Sequence, residues 1–168
     1  MKKIKEIAGV PKKYVLISSI FAMVWAWFIP VLQDVSLGKL LLILLGTLIA
    51  TIIAHEALHG IWFKIFTGKV VFGVLLKKFV FYASSPDSKI KRNQFILICL
   101  FPQILAIPLF LIMRLNNSPL VSYMASVSML FNLCGGVSDW WASFTLARYP
   151  ENVFIEDTKA GAVIWQKI

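Results

Sequence analysis

Residues His55–His59 read HEALH, and they stand inside Leu40–Phe63, a run in which His55, Glu56 and His59 are the only ionisable side chains. A hydrocarbon core about 30 Å thick takes roughly 20 helical residues, so the run has the length of a membrane span. On a helix, positions i and i+4 lie about 40° apart, and both imidazoles leave from one face where they can share a metal. Zinc accepts imidazole nitrogen at about 2.0–2.1 Å. Glu56 is turned about 100° from His55, so its carboxylate can reach a water on the metal rather than the metal itself. An ionisable group at mid-membrane costs at least about 2.5–3.5 kcal/mol, and three within five residues call for a compensating partner. A cation is one such partner; polar contacts between helices are the competing reading.

The rest of the chain fits a bilayer. Of its 168 residues 59% are hydrophobic and 15% charged, against about 45–50% and about 25% in soluble domains; the mean hydropathy is +0.80. Four runs reach the length of a span: Val15–Leu32, Leu40–Phe63, Phe95–Met113 and Leu120–Leu146. Pro102 and Pro108 predict a kink in the third, which membrane helices tolerate when neighbours take up the freed carbonyls. The basic start Met1–Lys13 followed by an apolar run looks like a signal peptide. Val15–Leu32 is long for that role and has no Ala-x-Ala-like exit before Gln33, so it reads as a retained first span. The expectation is a mainly α membrane protein. It would be a single transmembrane domain over residues 1–168, with four spans and a tail from 147 to 168.

Seventeen Lys and Arg residues against eight acids give a net charge of +9. They lie between the apolar runs rather than on one amphipathic face, which suits an anionic membrane and argues against a nucleic-acid partner. Only Lys39 and Arg114 fall in the second and fourth connections; all the others lie in the N-terminus, the segment Lys64–Gln94 or the tail. The positive-inside rule then puts both termini in the cytoplasm. Cys99 and Cys134 sit inside apolar runs with no CxxC spacing and read as small apolar core residues.

After the second span, Val70–Ala83 is rich in β-branched and aromatic residues around Gly73 and the pair Lys77-Lys78. That composition predicts one or two interfacial strands in a hairpin, with an interfacial helix as the alternative. Ser84–Lys89 has turn chemistry. In the tail, Asn152–Ile155 and Ala162–Trp165 flank a polar stretch and suggest a second small hairpin.

Two imidazoles leave a catalytic zinc site one protein ligand short. Asp139 is the only acid in the other three spans. His55 precedes Lys64 by nine residues, and Asp139 precedes Arg148 by nine, so both would lie roughly 13 Å above their basic cytoplasmic ends. Asp139 is therefore the candidate third ligand; an aspartate bonded to a neighbouring backbone is the alternative. Gly135 and Gly136 could admit a substrate strand or serve close helix packing. Asn132, two turns before Asp139, could donate to a substrate carbonyl or oxyanion, or make an interhelical hydrogen bond. Ser138 is less specific, and Trp140 and Trp141 read as packing or interfacial anchors.

HEALH in one span, the Asn132…Asp139 segment in a later one and four short spans resemble the intramembrane zinc metalloproteases of the site-2 protease type. The chain is more closely similar to the small bacterial zincin peptidases grouped as DUF3267. The HExxH helix, the strand-like segment after it, Pro102 early in the next span and the Gly-Gly-x-x-Asp pattern at Gly135–Asp139 carry that resemblance. It implies His55, His59 and Asp139 as Zn2+ ligands and Glu56 as general base. It also implies that Val70–Ala83 holds an extended substrate by strand addition. The expected function is hydrolysis of peptide bonds in a membrane or membrane-adjacent substrate, in a bacterial cell membrane. The site-2 protease pattern has a proline and an Asp-Gly step where Gly135-Gly136 and Asp139-Trp140 stand here. The other expectation is a non-proteolytic membrane binding or immunity-type protein with a closed structural zinc site.

Overall fold

The computed structural model describes residues 1–75, 80–158 and 161–167. In chain order the elements are β1 (Lys2–Ala8), α1 (Lys12–Ala26), α2 (Leu37–Thr67), β2 (Val71–Leu75), β3 (Val80–Ser84), β4 (Lys89–Lys91) and α3 (Arg92–Leu100). A 3-10 turn (Phe101–Leu105) leads into α4 (Ala106–Leu115), followed by α5 (Pro119–Gly135), α6 (Val137–Leu146), β5 (Val153–Thr158) and β6 (Gly161–Gln166). Two compact units share them. One comprises Met1–Pro11, Glu56–Pro102 and Ser138–Ile168, the other Lys12–His55 and Gln103–Val137.

The first unit is built on a four-stranded antiparallel sheet in the order β1-β6-β5-β4. Along β5, Val153 and Ile155 are fully buried at period two, as a half-buried strand requires. Ile155 pairs with Ile164 of β6 and with Ile90 of β4. These side chains, with Ile7 of β1 and Ala162, meet Phe63 of α2, Phe95, Ile98 and Cys99 of α3, and Leu146 of α6 in one core. The expected tail hairpin is thus β5–β6, but its partners were not foreseen. β1 comes from the basic N-terminus, and β4 begins at Lys89, the last residue of the stretch read as a turn.

Beside this sheet lies a separate hairpin, β2–β3, in which Val71 pairs with Ser84 and Leu75 with Val80. Within the stretch Val70–Ala83 the described residues thus form strands, Val71–Leu75 and the start of Val80–Ser84, rather than an interfacial helix; Lys77 and Lys78 fall outside the described residues. The Tyr82 ring lies over Gly73, its strand partner, where a Cβ would come within 2.5 Å of the Tyr82 hydroxyl. Thr67 at the end of α2 reaches Ser85 Oγ at 2.7 Å, and Ser85 reaches Ser88 Oγ at 2.8 Å, tying the chain after β3 back to the helix.

The second unit is helical. Trp25 of α1 donates to the Ser126 carbonyl at 3.2 Å, and Thr51 of α2 bonds Ser128 at 2.9 Å. The buried residues of α5 are Ser122, Ala125, Ser126, Val127 and Asn132, four of them of the small and polar types through which membrane helices approach one another. Leu42, Ile53 and Ile107 are among many large apolar side chains left more than half exposed, a surface suited to lipid.

α2, with 31 residues, and the stretch Arg92–Leu115, with 24, are long and apolar enough to cross a membrane; α5 and α6, broken at Gly136, make a third if counted as one span. The first expected span differs most. α1 has 15 residues, about 22 Å of helix, and ends six residues before Leu32. Pro30 accounts for this: it disfavours helix at the residue before it, and Trp27, Phe28 and Ile29 instead make short i→i−3 bonds.

Candidate metal centre

His55, Glu56 and His59 ride on the uninterrupted helix α2, and the i, i+4 spacing leaves a ligand nitrogen of each imidazole within 4.8 Å of the other. Each ring has a fixed orientation. Within the helical unit, His55 Nδ1 lies 3.0 Å from Oδ1 of Asn132, which is 1% exposed. Within the sheet unit, His59 Nδ1 lies 2.8 Å from the backbone oxygen of Ile98. Both contacts are to acceptor oxygens, so Nδ1 of each ring carries the proton and Nε2 presents its lone pair. This is how metal-ligating histidines are held in place.

The origin of the His59 contact is local. Residue i+4 from Ile98 is Pro102, which has no N–H to give to the Ile98 carbonyl. The last helical bond of α3 runs from Phe101 N to Leu97 O. The carbonyl of Ile98, facing the core with no helical donor, accepts from His59 instead.

On the other side of the ring, His59 Nε2 stands 3.5 Å from Asp139 Oδ2 of α6. Two ligands on adjacent corners of a tetrahedral zinc at about 2.0–2.1 Å would be about 3.4 Å apart, so this separation fits a shared ion. The donor types fit as well: His55, His59 and Asp139 are residues that could hold a metal, and two imidazoles with a carboxylate form a zinc ligand set.

Glu56 points elsewhere, as its 100° offset requires. Its Oε2 accepts the backbone N–H of Ala83 on β3 at 2.7 Å. The hairpin can lie this close because Gly60, directly after His59, has no side chain; a Cβ there would run into the Phe72 ring of β2.

The remaining candidates separate. The side-chain oxygen of Asn132 is engaged by His55, an interhelical bond. A Cβ at Gly136 would collide with the Gln103 amide nitrogen, whereas one at Gly135 would meet nothing within 4 Å. Gly136 thus serves close packing and Gly135 borders open space. Trp140 stacks on Phe144 with centroids 6.0 Å apart. Sequence reasoning missed three groups: the Ile98 carbonyl, the Ala83 N–H and Gln103. The Ile98…Pro102 spacing carried a readable signal for the first. Nothing in the sequence marked Gln103, which is 8% exposed and whose amide nitrogen and oxygen find no partner among the described residues.

The DUF3267 family model, described as a putative zincin peptidase, matches residues 48–154. The chain belongs to the DUF3267 family. The DUF3267 match includes all of HEALH, the β2–β3 hairpin and Asp139, and leaves out β1, α1 and β6. No curated protein and no solved structure matches the chain.

Proposed function

We propose that this protein is an intramembrane zinc metallopeptidase that hydrolyses peptide bonds of a membrane or membrane-adjacent substrate. It would lie in a bacterial cell membrane with four spans and both termini in the cytoplasm. The observation that carries this reading is His59, with Nδ1 on the Ile98 carbonyl and Nε2 3.5 Å from Asp139 Oδ2, on a helix that repeats an imidazole one turn earlier.

In this reading His55, His59 and Asp139 are the ligands. Zinc bound there would lower the pKa of a water toward about 7 and polarise the scissile carbonyl. Glu56 takes the proton of the attacking water and delivers it to the leaving amine. Ala83 N–H holds the Glu56 carboxylate in place at 2.7 Å. Because this N–H is directed to Glu56, the outer edge of β3 faces the base. An extended peptide adding to that edge would bring its own backbone beside Glu56, and main-chain pairing would supply affinity.

The test is purified protein assayed for zinc and for cleavage of an unfolded transmembrane peptide. Zinc at one per chain and cleavage abolished by chelator and by Glu56→Gln are expected. Stoichiometric zinc, folding that depends on it and no cleavage of any unfolded peptide would turn the assignment to a structural zinc protein.

A further inference from the structure

A cavity of about 530 Å³ opens in the sheet unit, lined by Lys5 and Glu6 of β1 and by Trp141, Thr145, Arg148 and Tyr149. It includes none of His55, Glu56, His59 or Asp139. Trp141 and Thr145 share one face of α6 at i, i+4, Arg148 follows in the turn after that helix, and β1 supplies further lining residues.

Its charge is unbalanced. Glu6 is engaged by Lys3 at 2.8 Å, while Lys5 and Arg148 make no ion pair among the described residues. Thr145 is 8% exposed, and its hydroxyl has no hydrogen-bond partner among the described residues. A buried hydroxyl with no partner costs stability, and here it belongs to a side chain that lines the same cavity as Lys5 and Arg148. An anion would satisfy all three groups together. Phosphate suits them best, because a planar guanidinium pairs with two of its oxygens while others remain for the ammonium and the hydroxyl. Arg148 is the first basic residue after the apolar run Leu120–Leu146, where headgroup phosphates lie if that run is a span. Phe144, four residues earlier in the chain, is 55% exposed, an apolar surface for an acyl chain.

We propose that this cavity is a phosphate-binding site whose occupant is the headgroup of an anionic phospholipid. The site is independent of the metal centre and of peptide hydrolysis.

The experiment follows thermal unfolding of the full chain in neutral detergent, with added inorganic phosphate or with micelles doped with phosphatidylglycerol or phosphatidylcholine. Phosphatidylglycerol should raise the melting temperature in a dose-dependent way, and more than phosphatidylcholine does. Arg148→Gln and Lys5→Gln should each weaken that effect about tenfold in lipid concentration. Thr145→Val should weaken it too, yet melt no lower than wild type in plain detergent, since it removes an unsatisfied hydroxyl. Protection by inorganic phosphate alone, lost in Arg148→Gln, would keep the phosphate chemistry and overturn the lipid source. Protection by phosphatidylglycerol that is unchanged in Thr145→Val and Arg148→Gln, or no protection by either probe, would overturn the proposal.

Discussion

His59 and Ile98 are joined by a hydrogen bond of 2.8 Å from the imidazole to a backbone carbonyl, and that carbonyl is available only because Pro102 occupies the position from which a helical N–H would reach it. A helix interruption thereby becomes a support for a candidate metal ligand. Pro102→Ala would return an N–H to compete for the Ile98 oxygen. Partners of this kind are worth about 10–100-fold in metal affinity, so zinc affinity in Pro102→Ala should fall by about tenfold, measured by competition with a chromogenic chelator. An unchanged affinity would mean that the ring is oriented by something else.

Asn132 holds the other imidazole. Asn132→Leu removes the acceptor and keeps the approximate volume. Zinc affinity should drop by about 10–100-fold, with hydrolysis recovered in excess zinc. If Asn132 instead contacts substrate, affinity for zinc will be unchanged and the loss will appear in kcat/KM at saturating metal.

Glu56→Gln separates binding from chemistry. The variant should keep its zinc and lose at least about 10²–10⁴-fold in rate, the usual contribution of a positioned general base. The introduced amide still offers an oxygen to Ala83 N–H, so the β2–β3 hairpin should stay docked and the melting temperature should move little.

Gln103 predicts an inverted result. Its amide is buried and unsatisfied, and replacing such a group by an apolar one of similar shape is neutral or stabilising. Gln103→Met should melt at or above wild type. Lower peptide hydrolysis in this more stable variant would mark the amide as one that meets substrate.

Asp157 of β5 gives the protein a pH dependence. Burial raises its pKa from 3.8 to about 6, against the Ser84 hydrogen bond and the field of His59, which lower it. The folded state therefore binds this proton more tightly than the unfolded chain. The associated stability is complete below pH 4 and is lost as the pH rises through about 6. The shift corresponds to about 3 kcal/mol. Melting of the chelator-treated protein should fall between pH 4.5 and 7, and Asp157→Asn should flatten that fall. A variant with the wild-type slope would place the titration elsewhere.

How far the sequence could be read depends on the range of the forces involved. HEALH announces its geometry because i, i+4 spacing on a helix is local. The β2–β3 hairpin was legible in Val71, Phe72, Val80, Phe81 and Tyr82, residue types that prefer a pleated surface. β1 was not, since Lys2, Lys3 and Lys5 look like the flank of a membrane span, and its partner β6 lies more than 150 residues away. Such pairing leaves no local pattern. β4 is three residues long and borrows its stability from Ile90, which is 2% exposed beneath β5. The shortened α1 was foreseeable from Pro30. The support that Ile98 gives His59 was foreseeable in principle from Pro102, but only once the two helices were known to touch.

The order β1-β6-β5-β4 also carries a rule of parity. Hydrogen-bonded strands cannot lie on opposite sides of a bilayer, so any stretch of chain that departs from this sheet and rejoins it traverses the lipid an even number of times. α1 and α2 form the excursion from β1 to β4; the stretch Arg92–Leu115 and the α5–α6 pair form the one from β4 to β5. If α2 crosses, the abbreviated α1 must complete the round trip, and the bilayer must thin or the helix ends must reach to let it.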